Sequence, residues 1–306
     1  MVEENKIEED EIRKYVREEY GRIGSSSRAS SCCGPTADNE GQTSNSCSSN
    51  ACSPIRIPAD KIDEFREKFG AVLGYSNEEL KGVPEGANLS LGCGNPTAIA
   101  SIKEGETVVD LGAGGGFDSF LAANKVGKKG KVIGVDMTSQ MIDRARKNAK
   151  KGDYEHVEFR LGEIENLPVA DNTADLIISN CVINLSPNKR RVFNEAYRVL
   201  KPGGRMMISD IVLLKELPDF IKEDMKSYAG CISGAILKDQ YLSLIKEAGF
   251  HDIEIIGKNT DSNLDLLLED PDVIKSLEEE GRNPEDLKKL DEIESESVTV
   301  KAIKPF

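Results

Sequence analysis

Seven cysteines stand in this 306-residue chain, and three occupy positions where packing alone is a poor reason for a thiol. Cys93 lies between glycines in LSLGCGNP, Cys181 follows a strand-forming run in IISNCVINL, and Cys231 sits beside glycine in YAGCISGA. The other four, Cys32, Cys33, Cys47 and Cys52, fall in one Ser-rich stretch. Thiolates are soft ligands that suit arsenic(III), zinc or copper(I), and suit magnesium or calcium poorly. Zinc-site spacings are missing: there is no Cys-x-x-Cys pair, and His156 and His251, the only histidines, have no ligand-spaced neighbour. An odd cysteine count without a secretion signal argues for thiol chemistry or metal binding over a disulfide framework. Taken singly, each cysteine also reads as a small core hydrophobe.

A second constellation is DLGAGGGFD, residues 110–118. Its glycines at 112, 114 and 116 let a backbone turn tightly and approach a ligand closely, as a nucleotide pocket requires. Asp110, two residues before the first glycine, repels a pyrophosphate and attracts the sulfonium and ammonium groups of S-adenosylmethionine, which favours that cofactor over a dinucleotide. Asp136 ends the next strand-like run, where a carboxylate accepts hydrogen bonds from ribose hydroxyls. Glu163, in GEIENLP, is expected to accept an adenine amino group. Met137 and Asn180 complete the expected cofactor-binding set. The plainer readings are that Asp136 caps a helix and that Glu163 is a solvated loop acid.

These residues need a scaffold, and the chain supplies an alternating one. TVVDLG (107–112), KVIGVD (131–136), VEFRLG (157–162), ADLIISNCV (174–182) and GGRMMISDIV (203–212) read as strands rich in Val and Ile. Helical periodicity fills 117–126, 139–151, 188–200 and 237–248 between and after them. Two further strands are expected at 252–259 and 297–304, separated by an acidic helical insertion. The fold class is therefore α/β: a doubly wound, Rossmann-like, seven-stranded and mostly parallel sheet. Ahead of it, Ile12, Val16 and Tyr20 mark an amphipathic helix, and residues 24–54 read as a mobile, cysteine-bearing loop with too few apolar residues to build a core. The expected division is 1–69 for the N-terminal helix and loop, 70–259 for the cofactor-binding core, and 260–306 for a helical segment and final strand.

Composition narrows the partners. With 40 basic and 54 acidic residues the formal charge is −14, and no basic stripe interrupts it, so nucleic acid is an unsuitable partner. The acidic start, MVEENKIEEDEI, has no signal-peptide character, and no stretch is long enough to span a bilayer. A cytoplasmic monomer is expected.

The motifs LGCGNP, DLGAGGGFD, GVDMT, GEIENLP, SNCVINLSP, EAYRVLKPGG and SDIVLLKELP, in this order over about residues 70–256, closely resemble those of arsenite S-adenosylmethionine methyltransferases of the class I superfamily. The resemblance implies that Cys93, Cys181 and Cys231 hold arsenic(III), and that Cys52, in SNACSP, cycles through disulfides during turnover. It implies arsenite and methylarsenite as substrates, with a small thiol or thioredoxin-type reductant. Where some members carry an aromatic residue two places before the first arsenic-binding cysteine, this chain has Leu91. Two other functions compete. A class I methyltransferase acting on carbon or oxygen of a small molecule leaves the cysteines unemployed, and a non-catalytic thiol metalloid-binding protein leaves the glycine loop unemployed.

Overall fold

A computed structural model of the chain describes residues 9–25, 70–71, 73–217, 233–259 and 294–306. Its centre is a seven-stranded sheet. The strands are β1 (Thr107–Leu111), β2 (Lys131–Asp136), β3 (Val157–Leu161), β4 (Ala174–Asn180), β5 (Leu200–Leu213), β6 (His251–Asn259) and β7 (Ser295–Ile303), in the spatial order β3-β2-β1-β4-β5-β7-β6. β1 to β5 run parallel, and β7 is antiparallel to both β5 and β6. The parallel strands at the centre are buried on both faces, which is why they read as continuous Val/Ile runs.

The helices are α1 (Glu9–Ser25), α2 (Asn77–Lys81), α3 (Pro96–Ile99), α4 (Phe117–Val126), α5 (Ser139–Lys151), α6 (Lys189–Val199) and α7 (Lys238–Glu247). In α6, Val192, Phe193, Ala196 and Val199 recur three and four residues apart and are buried against the sheet. Helix α1 buries Ile12, Val16 and Ile23 and packs across α5.

The strand order reverses between β1 and β4, and in open α/β sheets the crevice at the carboxyl ends of such strands receives the ligand. Register brings Asp110 beside Gly134 and Ile178, and pairs Asn180, the last residue of β4, with Ser209 of β5. β4 stops one residue before Cys181, whose φ of +57° turns the chain out of the sheet. Gly24 and Ser25, the start of the expected 24–54 loop, instead end α1, and Ser295 and Glu296, the end of the expected insertion, instead open β7. Residues 26–54, residues 261–293 of the insertion, and Cys32, Cys33, Cys47, Cys52 and Cys231 lie outside the described residues.

Candidate cofactor crevice and thiol site

The turn after β1 is clipped to the end of β2. Gly112 and Ala113 donate their N–H groups to the Val135 carbonyl at 2.8 and 3.0 Å, and Gly114 N–H donates to Asp136 Oδ2 at 3.0 Å. Gly112 has φ +68° and Gly114 φ +51°, a region that L side chains rarely adopt. A Cβ on Gly114 would meet nothing within 4 Å, so this part of the turn faces open space. Asp136 also accepts Thr138 N–H at 2.8 Å, which fixes its carboxylate at the crevice wall.

Asp110 lies at the floor of the crevice, 2% exposed, and accepts Ser119 Oγ at 2.6 Å. Burial, and then the charge of Asp118, push its carboxyl well above the usual carboxylate range. Asp118 is itself raised to about 6 by burial, against hydrogen bonds from Asn180 and Tyr75 that favour its ionised form. Asp136 is raised for the same first reason. Four acids, Asp110, Asp118, Asp136 and Glu165, thus line one crevice, together with the Ser90 hydroxyl, which is buried without a hydrogen-bond partner. Carboxylates awaiting a cation, an unpartnered hydroxyl and an open glycine turn fit S-adenosylmethionine, with its sulfonium, ammonium and ribose.

Cys93 and Cys181 meet at the edge of this crevice, joined as a disulfide with Cα atoms 5.6 Å apart. Each is 7% exposed, and they pack with Ile12 and Val16 of α1 and with Leu185. The glycine context made Cys93 a poor candidate for a buried packing residue; it is nonetheless buried, packed with Cys181, Leu185 and two residues of α1. Cys181 N–H donates to the Ser209 carbonyl at 2.8 Å. The two sulfurs and a carboxylate oxygen of Asp210 lie within 4.8 Å of one another, all from buried residues.

The domain family described as methyltransferase domain matches residues 102–249. An arsenite methyltransferase of Halobacterium salinarum is 46% identical over 250 residues, covering 82% of this chain and 60% of that protein. The crystal structure of an arsenic(III) S-adenosylmethionine methyltransferase from Chlamydomonas reinhardtii is 32% identical and covers 78% of this chain and 73% of that one, with a TM-score of 0.56. The chain belongs to the arsenite methyltransferase family. Phosphoethanolamine N-methyltransferase 2 of Haemonchus contortus, in complex with S-adenosyl-L-methionine, is 20% identical with a TM-score of 0.59 over 79% of this chain and 60% of that one, and shares the fold. The chain spans 51–60% of the length of the curated arsenite methyltransferases it matches.

In this member of the arsenite methyltransferase family, Asp110, Gly112, Gly114, Asp136, Met137, Asn180 and Cys181 line the crevice. Gly116 and Glu163 do not. Gly116 instead caps α4 at φ +93°, where a Cβ would fall 2.7 Å from Phe120. Glu163 turns to Arg17 (3.1 Å) and Arg13 (4.0 Å) of α1, while the adjacent Ile164 and Glu165 form the wall. Sequence reasoning missed Arg13, Tyr20, Tyr75 and Asp118 in the lining. Asp118 ends the glycine motif and was legible as a fourth acid there, whereas the α1 and Tyr75 contacts carry no local signal. Leu91 packs against the cluster of Ile23, Leu89 and Met141, and Tyr20 of α1 packs against the same cluster.

Asp210 yields a pH-dependent prediction. Burial raises its carboxyl to about 7, opposed by Lys189, by Ile211 N–H and by the Tyr241 hydroxyl. A carboxyl whose folded pKa exceeds its unfolded one stabilises the fold below the ordinary carboxylate range, and loses that contribution as pH rises toward 7. Asp210→Asn carries no such titration. The melting temperature of Asp210→Asn relative to the unmutated protein should therefore be more favourable at pH 8 than at pH 5. Parallel calorimetric melts check this, and a difference independent of pH would refute it.

Proposed function

We propose that this chain transfers methyl groups from S-adenosylmethionine to trivalent arsenic held on Cys93, Cys181 and Cys231, giving methylated arsenicals. The observation that carries the reading is the buried Cys93–Cys181 pair, Cα atoms 5.6 Å apart, at the edge of an acid-lined glycine crevice. When bound, the cofactor supplies an electrophilic methyl group on a sulfonium. Asp110 and Asp118 offer negative charge to its cationic groups, and Asp136 offers acceptors for ribose. Glu163 is retained here as a candidate acceptor for adenine once its ion pair with Arg17 opens. The domain division at residues 69 and 259 is part of the same proposal.

Arsenite enters as substrate by thiol exchange: each thiol proton leaves with an arsenic hydroxyl as water, and a sulfur–arsenic bond forms. This avoids a prior ionisation of thiols whose ordinary pKa is about 8.5. Arsenic bound by three thiolates keeps its lone pair, so no general base is needed. The protein's contribution is to hold both reactants at one crevice, an effect that can supply about 7–11 kcal/mol of barrier reduction. Ile12 and Val16 of α1 exclude water above the sulfurs. Transfer of the sulfonium methyl as CH3+ to the lone pair takes arsenic formally to the pentavalent state; two of its thiolates then leave as a disulfide, which returns the electron pair, and water takes a vacated position with loss of a proton. The trivalent methylarsenic retains two exchangeable positions, so sequential methylation follows once the reductant restores the thiols.

The disulfide between Cys93 and Cys181 must be reduced, by two electrons and two protons, before either sulfur takes arsenic. A small thiol or thioredoxin-type reductant therefore belongs to the proposal, with Cys52 as the residue that helps recycle thiols. We place the enzyme in the cytoplasm as a monomer; among the described residues no helix is long and apolar enough to cross a membrane. The test is mass spectrometry of products from purified protein, arsenite, excess thiol and methyl-labelled cofactor. Labelled methylarsenicals are expected, and arsenite left unlabelled under these conditions would overturn the reading.

A further inference from the structure

Cys93 belongs to no helix or strand, yet its backbone is held on three sides. Its N–H donates to Asn180 Oδ1 at 3.0 Å, the Gly94 carbonyl accepts from Asn180 Nδ2 at 2.7 Å, and the Cys93 carbonyl accepts from Ser297 Oγ at 2.7 Å. Asn180 ends β4 and Ser297 lies in β7 opposite Ile211 of β5, so both contacts come from the sheet. Asn180 is also one peptide unit from Cys181. We propose that Asn180 and Ser297 form a clamp that presets the spacing of the Cys93–Cys181 thiol pair, with Asn180 acting as a positioning residue for the substrate thiols. The clamp rests on the reading of those thiols as the arsenic site.

A second, independent observation agrees. A Cβ on Gly92 would fall 2.6 Å from Asn180 Nδ2, and a Cβ on Gly94 would fall 2.9 Å from Ser209 Cβ. The glycines that flank Cys93 are therefore the residues that let this loop press against the end of β4 and the body of β5. Asn180 is further fixed from the crevice side, where Nδ2 lies 3.0 Å from Asp118 Oδ2 and 2.9 Å from the Tyr75 hydroxyl. An amide held by four groups is poorly free to turn toward a ligand, but well placed to transmit the position of the crevice wall to Cys93. Two of the three arsenite-binding thiols, with preset spacing, take arsenic without first ordering the loop that carries one of them.

The test equilibrates the full chain in glutathione redox buffers and quantifies the linked Cys93–Cys181 peptide by mass spectrometry, which gives the effective concentration of one thiol toward the other. Ser297→Ala should lower it about fivefold and Asn180→Ala about tenfold or more, while Ser297→Thr, which keeps the hydroxyl, restores it. The arsenite dissociation constant should rise by a similar factor in Ser297→Ala, with cofactor affinity unchanged. Asn180→Ala also removes partners from Asp118 and Tyr75; if it does not fold, the Ser297 pair decides alone. Coupling in Ser297→Ala equal to that of the unmutated chain overturns the clamp. Failure of the unmutated chain to bind arsenite overturns the arsenic reading instead, and the thiol coupling remains measurable without arsenic.

Discussion

Replacing Cys181 with serine should lower methylation of both arsenite and methylarsenite by at least about a hundredfold while leaving cofactor binding intact. Serine matches cysteine closely in size, and the Cys181 backbone, with φ +57° and its N–H on the Ser209 carbonyl, is held by features that the substitution does not touch. What changes is the ligand. A hydroxyl is harder and far less acidic than a thiol, so the pair facing Cys93 loses its affinity for a thiophilic centre. Cys231→Ser carries the same expectation. Cys52→Ser should depress arsenite turnover more than methylarsenite turnover, because inorganic arsenite can occupy three thiolates and methylarsenite only two. Each variant is to be assayed with both arsenicals under excess reductant. Methylarsenite turnover preserved in Cys181→Ser would defeat the assignment, whereas equal losses in Cys52→Ser would defeat only the division of labour.

Gly112→Val should destroy cofactor binding and destabilise the fold. A Cβ at this position would stand 2.2 Å from Val182 Cγ2, and the backbone is at φ +68°, so overpacking and backbone strain add. Together they amount to about 2–5 kcal/mol. The glycine turn cannot relax away, since Gly112, Ala113 and Gly114 are all tied to the end of β2. Asp136→Ala releases that tie at Gly114 and at Thr138 without introducing a clash. It should weaken cofactor affinity by about tenfold, from the lost hydrogen bonds alone, with arsenical binding little changed. Titration calorimetry with S-adenosylmethionine separates the two variants, and unchanged affinity in both would remove the glycine turn from the cofactor site.

What local chemistry encodes was legible before the coordinates. The Val/Ile runs of β1, β2 and β4 and the glycine turn follow from burial on both faces and from positive φ, properties written within a few consecutive residues. Contacts between distant segments were not legible. Nothing in GEIENLP announces Arg17, 146 residues away, as the ion-pair partner of Glu163. The cover over Cys93 comes from α1, and Asn180, which lines the crevice as expected, also bonds Cys93 across 87 residues. Long-range pairing of this kind leaves no periodicity to read.

β7 enters the sheet between β5 and β6, although it is the last strand in chain order. Its Ser297 reaches Cys93 across a sequence separation of 204 residues. In a growing chain the two cysteines, the glycine turn and Asn180 are all synthesised well before the hydroxyl that fastens the Cys93 loop. Closing so distant a contact is entropically demanding and comes late in folding. The crevice can therefore take shape while the thiol pair is still loosely spaced. With the clamp proposed above, the thiol pair reaches its set spacing only once β7 has joined the sheet.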